Sequence, residues 1–577
     1  SLPVLFAIAG PAVILDVNST LIVDPEFEAV SEECGNIIIS RSKKRKAGFL
    51  SKAAGPDPVL LEVFGNLFMG IAHEMGHTLR NTAASVNMKE RLDFSCAIFD
   101  SAGGLVANAP HIPVHLGSMA DAVKAVIEKN RESMKSGDVY LTNNPYEGGS
   151  HLPDMTVICP VFSDNGELIF CTAARGHHSD VGGITPGSMP PSSSHIDEEG
   201  VLVDNFLLVR DGAIKEEALR LLLTGKRYPA RNVSERMHDF RAQIAACLQG
   251  NRELHRTIGV HGIRTVTDYM QYIQENSGFE VRKALHRFLY NGGSYISSFE
   301  DRMDDGTLIR VAVSISAGEN PPETVTAVID FSGSGPEHQN DNLNAPRSVT
   351  RSAVLYVLRT LIDRDIPLNS GCLKPVEIII PQGTVLNPAY PAPVASGNVE
   401  TSQRIVDVLL GAFGIAAASQ GTMNNLLFEV EGEHPYYETV AGGAGAMEGC
   451  RGASGVQVHM TNTRITDPEI LELRHPGIRL EKFHLRKNSG GKGAFRGGDG
   501  VVREIRFLKP ATVSIVSERR VYPPYGLQGG APGKKGVNLL KKANEDVKQL
   551  RHREVLNVDP DDSIILETPG GGGYGEL

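Results

Sequence analysis

Glycine-rich loops divide the second half of this sequence into short segments. From residue 428 onward, apolar stretches of strand length are separated by such loops, which lie at 442–445, 490–493, 497–500, 529–530 and 570–573. Glycine readily adopts the positive φ angles of tight turns and weakens a helix interior. This spacing therefore predicts a series of strands joined by turns. The chain of 577 residues contains 61 glycines and 33 prolines, more than an ordinary share of these two residues.

Helical patterns accompany these strands. Apolar residues at i, i+3 and i+4 spacing form one stripe over residues 58–80, which predicts an amphipathic helix. A capping-box pattern at Ser118 and Asp121 predicts the start of another helix. Three further segments have helical patterns: 213–290, 348–363 and 402–419. We therefore predict an α+β fold, with mixed and largely antiparallel sheets and flanking helices.

A β-hairpin is predicted in the first half of the chain. Its two strand-like segments are 155–162 and 167–174. They are joined through Asn165-Gly166, and Asn-Gly is the strongest short hairpin signal. If these two residues form a two-residue turn, the pairing places Asp154 opposite His177, with their Cβ atoms about 5 Å apart. A slip of one residue would present His178 instead.

The chain is predicted to contain four regions. The first carries a hairpin over residues 11–30, with its turn at Asn18-Ser19. A basic run from Arg41 to Lys46 then marks a solvated linker. The four regions are 1–40, 41–56, 57–300 and 301–577.

Charge and cysteine content restrict the function classes. The formal net charge is −11, so the overall field repels nucleic acid and anionic membrane surfaces. The seven cysteines are odd in number and form no C-x-x-C pair, which indicates reduced, mostly buried thiols in a cytoplasmic protein. The apolar opening stretch, Leu2–Leu15, is broken at Gly10-Pro11 and is too short to cross a bilayer. We expect neither nucleic acid nor a membrane as a partner.

Nucleotide-binding signatures are missing from this sequence. Its three Gly-Lys pairs are followed by Arg227, Gly493 and Lys535, where a Walker loop requires Ser or Thr. The G-x-S-x-G motif of a serine nucleophile is missing as well. We therefore expect no ATP site built from a recognisable loop in these 577 residues.

The most conspicuous short motif is His73-Glu74-Met75-Gly76-His77, which has the H-E-x-x-H pattern of zinc peptidases. Both histidines fall on the polar face of the predicted helix. The H-x-x-G-x-x-H extension is missing, and a glycine within the helix suits close packing against a neighbour. We therefore interpret these residues as exposed side chains on a helix surface.

A second group of polar residues flanks the predicted hairpin. His151 and Asp154 precede its first strand, and His177 follows its second. Two imidazoles and a carboxylate that converge on one point suit a divalent metal that keeps a position for water. Asp93, which opens a strand, is the candidate for a fourth ligand. Three alternatives, which the spacing does not distinguish, are Asp100, His111 and His115.

Several ordered motifs carry a family resemblance. They are Glu90–Ala97 (ERLDFSCA), Pro110–Gly117 (PHIPVHLG), Thr142–Pro145 (TNNP), Gly149–Asp154 (GSHLPD), Arg175–Gly183 (RGHHSDVGG), Thr185–Pro190 (TPGSMP), Gly397–Gln403 (GNVETSQ) and Thr568–Gly573 (TPGGGG). With these motifs the chain resembles the hydantoinase B/oxoprolinase family from about residue 57 to its C-terminus. The resemblance implies a hydrolase that acts on cyclic amides.

The finer resemblance is to the B-type, C-terminal part of ATP-dependent 5-oxoprolinases, in which an A-type and a B-type region are fused. The hairpin at 11–30 resembles the end of the A-type region, and the chain begins with Ser1 rather than Met. The resemblance therefore implies the back half of a longer protein. It also implies that the A-type half phosphorylates 5-oxo-L-proline with ATP and Mg²⁺. The B-type half would then open the activated ring with water to give L-glutamate, a reaction of glutathione metabolism.

Residue roles and partners follow from the same resemblance. The metal ligands of such relatives correspond to Asp93, His151, Asp154 and His177, and the divalent metal would be Zn, Mn or Mg. The chemistry of such a site, rather than the resemblance, makes His178, Asp180 and His115 candidate catalytic residues, as partners of the ligands or as proton shuttles. The expected partners are an A-type half or subunit, which would bind ATP and Mg, and a second copy of the chain in a homodimer.

Two alternative functions stay open. The chain could be a B-type subunit that acts on hydantoins or on another lactam. It could instead be a non-catalytic scaffold whose metal is structural.

Overall fold

The computed structural model describes residues 3, 5–16, 19–41, 56–289, 293–544 and 546–577. Packing divides the chain into two units, Ser1–Pro58 and Val59–Leu577, and each unit is described separately. Most of the predicted basic linker 41–56, and Asn18 of the predicted turn, lie outside the described residues. The predicted boundary near residue 300 stays a prediction.

The described residues of the first unit form short strands. They are β1 (Ala7–Ala9), β2 (Ala12–Leu15), β3 (Thr20–Val23), β4 (Phe27–Ser31) and β5 (Ile37–Arg41). β2 and β3 pair antiparallel, with Ala12 opposite Val23, so the predicted hairpin is present. β1, β4 and β5 form a separate antiparallel sheet.

The second unit begins with a seven-stranded sheet and its helices. The strands are β6 (Phe94–Asp100), β7 (Leu105–Asn108), β8 (Val139–Thr142), β9 (Asp154–Phe162), β10 (Leu168–His177), β11 (Phe206–Arg210) and β12 (Ala213–Ile214). The helices are α1 (Pro58–Thr82), α2 (Val86–Lys89), α3 (Pro113–Asn130), α4 (Glu216–Thr224), α5 (Val233–His261) and α6 (Ile263–His286). The strand order is β12-β11-β8-β9-β10-β6-β7, and all neighbours are antiparallel.

Helices cover both faces of this sheet. Apolar side chains of α3 pack on one face, and those of α1 and α5 pack on the other. Successive side chains of a strand point to opposite faces. On β10, Arg175 therefore reaches Ser118 of α3, and His177 shares that face. The next residue, His178, reaches Gln243 of α5.

Three smaller sheets and three helices complete the described part of the second unit. The strands are β13 (Tyr295–Arg302), β14 (Leu308–Ser316), β15 (Thr326–Asp330), β16 (Val376–Ile379), β17 (Asn425–Val430), β18 (Tyr436–Thr439), β19 (Ile478–Arg486), β20 (Gly500–Phe507), β21 (Ala511–Val516), β22 (Val537–Lys541), β23 (Val547–Gln549), β24 (Arg553–Val558) and β25 (Ser563–Glu567). The helices are α7 (Arg347–Thr360), α8 (Ser402–Phe413) and α9 (Pro468–Arg474), and a π-helical turn, Gly397–Thr401, precedes α8.

The sheet orders are β13-β14-β15-β16, β18-β17-β21-β24 and β19-β20-β25-β22-β23. Among the described strands, β15 and β16 are the parallel pair, and the other pairs are antiparallel. The prediction of an α+β fold with largely antiparallel sheets and flanking helices is confirmed.

The hairpin of β9 and β10 has the predicted register with a different turn. Asp154 lies opposite His177, as predicted. The turn contains three residues rather than two, with Gly166 at a φ of +79°, and this offsets the pairing by one residue. A β-bulge between Leu168 and Phe170 reverses that offset. The two irregularities cancel, so the strand ends meet where the simple turn predicts.

The glycine-rich loops differ from the prediction in their backbone angles. Among the described residues, no glycine in the loops 442–445, 490–493, 497–500 and 570–573 has a positive φ. These loops instead pack backbone to backbone: a Cβ atom on Gly443 would lie 2.1 Å from Gly498 O, and one on Gly571 would lie 1.9 Å from Ala444 O. Glycine is required there because neighbouring chains leave no space for a side chain.

Two predicted helix ends are wrong. α3 begins at Pro113, because the proline suits the first helical position, and the Ser118 hydroxyl donates to Val114 O within the helix. The helix predicted over 402–419 ends at Phe413, where Gly414 adopts a left-handed φ of +70°. The sequence patterns do not indicate α9.

The H-E-x-x-H motif lies on α1. His73, Glu74 and His77 are exposed, which confirms their interpretation as helix-surface side chains. Gly76 is buried, and a Cβ atom there would lie 2.7 Å from His111 Nε2. Close packing therefore explains the glycine.

All seven cysteines are free thiols, and five of them are buried, as predicted. Across the described parts of the chain, no helix has both the length and the apolar character needed to span a bilayer.

Replacing Gly76 with alanine should destabilise the protein, because the added methyl group would overlap the His111 ring. The expected cost is about 1–3 kcal/mol, measured as a lower thermal unfolding temperature. Gly70→Ala on the same helix is the matched control. A Cβ atom there meets nothing within 4 Å, so helix propensity should raise stability by about 0.5–1 kcal/mol. Equal effects of the two substitutions would contradict the packing argument.

Candidate metal centre

Three buried side chains meet where β9 begins and β10 ends. His151 Nε2 lies 3.2 Å from Asp154 Oδ1, and His177 Nδ1 lies 3.2 Å from the same oxygen. The two ring nitrogens are 3.1 Å apart. The three donor atoms thus form a nearly equilateral triangle. Within the described residues, this is the group of three or more His, Cys, Asp or Glu side chains close enough to hold one metal ion.

Backbone contacts fix the two chain segments that carry this group. The loop before β9 is tied down by Asn143, whose Nδ2 donates to Leu152 O at 2.7 Å. His177 N donates to Asp93 O at 3.0 Å, and His178 N donates to Pro153 O at 2.9 Å. The strand ends and the preceding loop therefore hold one another in place, which orients the three side chains.

The second oxygen of Asp154 has its own partners. It accepts hydrogen bonds from Ser150 Oγ and lies 3.1 Å from His115 Nε2. Burial alone would raise the pKa of Asp154, but His115 and His151 hold this pKa well below its usual value. Asp154 is therefore an anion at neutral pH, and both of its oxygens face donors.

Arg175 lies near enough to Asp154 for the two charges to interact. This fully buried side chain donates to Thr156 Oγ1 at 2.7 Å and to Gly148 O at 3.0 Å, and it also contacts Ser118 and Ser150. Burial lowers the pKa of Arg175 to about 10, so the group stays charged at neutral pH. Its positive charge compensates the buried carboxylate.

A small cavity adjoins the three donor atoms. Its volume is about 20 Å³, which is room for about one water molecule. Asp93, His115 and Asn398 contribute polar side chains to its wall. The apolar part of the wall consists of Ile112, Val114, Val399, Met423 and Met460. The three side chains beside it are themselves buried.

The candidates for a fourth ligand fall into two sets. Asp93 and His115 line the cavity. Asp93 also interacts with His177: burial lowers the pKa of His177, and the carboxylates of Asp154 and Asp93 oppose part of that shift. The other two candidates lie elsewhere: Asp100 accepts hydrogen bonds from backbone N–H groups in the turn after β6, and His111 Nδ1 accepts one from Cys96 N at 3.0 Å.

The structure does not bring His178 and Asp180 to the group. His178 Nε2 lies 3.0 Å from Gln243 Oε1, and its ring packs 4.5 Å from Phe240. Burial lowers the pKa of His178 to about 4, so the ring is neutral at pH 7. Asp180 accepts hydrogen bonds from the Arg231 guanidinium and from backbone N–H groups, and thereby holds its own loop together. The strand alternation on β10 explains this separation.

Sequence reasoning missed several residues that contact the group. Ser150 and Asn398 lie in the motifs GSHLPD and GNVETSQ, which carry the family resemblance but gave these two residues no role. Arg175 lies in a third motif. The ring of Tyr437 stacks on that of His177, with 5.0 Å between the ring centroids. No sequence motif indicates this contact, because Tyr437 lies on β18, far from His177 along the chain.

The donor set fits a divalent metal ion. Two ligands that lie about 2.1 Å from one ion, at about a right angle, are about 3 Å apart, close to the separations found here. Two imidazole nitrogens and a carboxylate oxygen suit Zn²⁺, Mn²⁺ and related ions. Each of the three atoms has a lone pair once the two imidazoles carry their protons on the other ring nitrogen, and a cation would then be shared by all three.

Comparison with known proteins places this chain. Residues 57–577 match the model of the family described as hydantoinase B/oxoprolinase. The chain belongs to this family. The region predicted from the motifs is therefore confirmed.

Two of the proteins similar to the chain are named as 5-oxoprolinases. 5-Oxoprolinase 1 of Arabidopsis thaliana is 47% identical, over 98% of this chain and 46% of that protein. 5-Oxoprolinase of Dictyostelium discoideum is 46% identical, over 99% of this chain and 44% of that protein. The chain thus spans less than half the length of these relatives. Among solved structures, the ATP-dependent caprolactamase of Pseudomonas jessenii is 25% identical, with a TM-score of 0.80 over 90% of this chain and 91% of that one.

The buried ring of His111 should make the stability of the folded protein depend on pH, whether or not metal is bound. Burial, with His73 and His115 nearby, lowers its pKa to about 3, whereas an unfolded imidazole titrates near 6.5. Between these values the unfolded chain binds a proton that the folded protein does not. Stability should therefore fall as pH falls below 6.5, by at most about 1.4 kcal/mol per pH unit.

His111→Asn keeps an acceptor near Cys96 N but cannot take up a proton. The drop in its thermal unfolding temperature between pH 6.5 and pH 4 should therefore be smaller than that of the wild type. His484→Asn, at an exposed position of β19, is the control. The same pH profile for wild type and His111→Asn would exclude this role.

Proposed function

We propose that this chain is the hydrolytic, B-type half of an ATP-dependent 5-oxoprolinase, which opens 5-oxo-L-proline to L-glutamate after activation by an A-type half. The observation that carries the proposal is the enclosed group of His151, Asp154 and His177 beside a cavity that has room for water. The names of the relatives from Arabidopsis and Dictyostelium support the substrate.

The chemistry requires activation of both reactants. An unactivated lactam is a poor electrophile with a poor leaving group, and water is a weak nucleophile at neutral pH. His151, Asp154 and His177 would hold the metal, with Asp93 as the fourth ligand. A divalent ion bound there would act as a Lewis acid and lower the pKa of nearby water.

His115 is the residue placed to handle a proton. Its Nε2 lies 3.1 Å from Asp154 Oδ2, and its Nδ1 lies 3.3 Å from Ser95 Oγ. The ring lines the cavity, and it would take a proton from water and return one to the ring nitrogen of the lactam as the C–N bond breaks. The acyl phosphate left by this step would be hydrolysed by a second water to the carboxylate and phosphate. We propose His115 for this role rather than His178 or Asp180, which lie away from the cavity.

ATP would act on the other half of the enzyme. The sequence contains no Walker loop, and the chain spans less than half of the named 5-oxoprolinases. We therefore assign ATP, its Mg²⁺ and the phosphorylation of the lactam to an A-type half. Pairing of the complete enzyme into a homodimer is part of the same proposal.

A related lactam is the second candidate substrate. The similarity in fold and sequence to an ATP-dependent caprolactamase favours a cyclic amide but not a specific ring. A panel of 5-oxo-L-proline, a hydantoin and caprolactam, tested with the reconstituted enzyme, distinguishes these substrates. Turnover of caprolactam or hydantoin alone would replace 5-oxo-L-proline in the proposal.

Metal binding should depend on the three-residue group. His151→Ala and Asp154→Ala should each reduce bound metal from about one ion per chain to a small fraction, measured by mass spectrometry of the purified protein. Asp93→Ala and His115→Ala separate the fourth ligand from the proton shuttle, because only loss of a ligand should weaken binding. The control is His73→Ala with Glu74→Ala in the H-E-x-x-H motif. Equal metal content in His151→Ala and wild type would refute the centre.

Activity should require both halves. The isolated chain should show no ATP-coupled ring opening, and addition of an A-type half should restore release of glutamate, ADP and phosphate. Asp154→Ala in the restored enzyme should abolish glutamate release. ATP-dependent turnover by the isolated chain would contradict the division of labour. A fully active Asp154→Ala enzyme would favour the structural-metal alternative.

A further inference from the structure

Asn398 is a buried amide beside the candidate metal centre. It lies in the π-helical turn Gly397–Thr401 and lines the same cavity. Its Nδ2 is 3.1 Å from His151 Nδ1. Its Oδ1 is buried and has no hydrogen-bond partner among the described residues. An unpartnered buried amide oxygen is costly, so it calls for a physical explanation.

The hydrogen bond to Asn398 determines which nitrogen of His151 carries the proton. An amide N–H group can only donate, so it requires a lone pair on His151 Nδ1. The proton of the neutral ring must then sit on Nε2, which faces Asp154 Oδ1 at 3.2 Å. In that tautomer Nε2 has no lone pair for a cation.

We infer that Asn398 is a positioning residue that sets the tautomer of His151 for metal binding. When a divalent cation occupies the group, the amide is turned by half a rotation about its Cβ–Cγ bond. The oxygen that is now unpartnered then accepts a hydrogen bond from His151 Nδ1–H, and the lone pair of Nε2 is directed at the cation. The inference rests on the proposed metal centre.

The backbone that carries Asn398 is held in place by its neighbours. Gly397 N donates to Asn342 O at 2.8 Å, and a Cβ atom on Gly397 would lie 2.0 Å from Asn344 O. The Asn398 carbonyl accepts a hydrogen bond from Ser402 Oγ. The backbone of the π-helical turn is thus fixed against its neighbours. π-Helical turns often occur at functional sites, and this one carries Asn398.

The acceptor chemistry of residue 398 provides the test. Asn398→Leu has a similar volume but no acceptor, and should weaken the affinity for Zn²⁺ by about 10- to 100-fold, measured by competition with a chelator. Asn398→Asp retains the acceptor and should bind Zn²⁺ at least as tightly as the wild type. Val399→Ala, which alters the same cavity at a side chain that cannot hydrogen-bond to His151, is the control for packing and should change the affinity less than threefold.

The tautomer itself is a second readout. In protein labelled with ¹⁵N-histidine, zinc should shift the proton of His151 from Nε2 to Nδ1 in the wild type. In Asn398→Asp, where the carboxylate can only accept, that proton should sit on Nδ1 with or without zinc. Wild-type protein that binds no metal would overturn the metal centre and this inference together. Wild-type affinity in Asn398→Leu would overturn only the inference. Weak binding in Asn398→Asp would also overturn it, because the acceptor would then be irrelevant.

Discussion

The pairing of β9 with β10 is the constraint on which the candidate site depends. Side chains in a sheet alternate between faces, so a slip of one residue would replace His177 with His178 opposite Asp154. The hairpin avoids this slip although its turn is longer than the simplest one, because a bulge after Gly166 compensates for the extra residue. The ladder of nine paired positions, rather than the turn, thus sets which side chains meet.

Charge explains why the site is built around Asp154. A buried carboxylate is stable only if its charge is compensated. Asp154 Oδ2 accepts a hydrogen bond from Ser150 and lies beside His115. Oδ1 lies beside the imidazoles of His151 and His177. The positive charge of nearby Arg175 also interacts with this carboxylate. The carboxylate of Asp154 therefore stays ionised although it is buried. The ionised form is the one that can ligate a cation.

Much of the fold follows from local patterns, and the exceptions have physical reasons. The stripe over 58–80, the hairpin and the strands around the glycine loops are all present, because burial of periodic apolar residues is a local signal. The capping pattern at Ser118 was misleading, since Pro113 begins the helix earlier. The turn interpretation of the glycine loops was also wrong in part: those loops pack on one another, and close approach of distant backbones leaves no periodic trace in a sequence.

The sequence by itself determined the family, the main elements and the meeting of Asp154 with His177, because strand alternation and hairpin pairing connect residues that are close in the chain. The tertiary structure alone decided which other groups surround them. It brought His115 from α3, Tyr437 from β18 and Asn398 from a π-helical turn to one cavity, and it turned His178 and Asp180 away. Such contacts arise from packing between elements far apart in sequence, where spacing carries no information about distance.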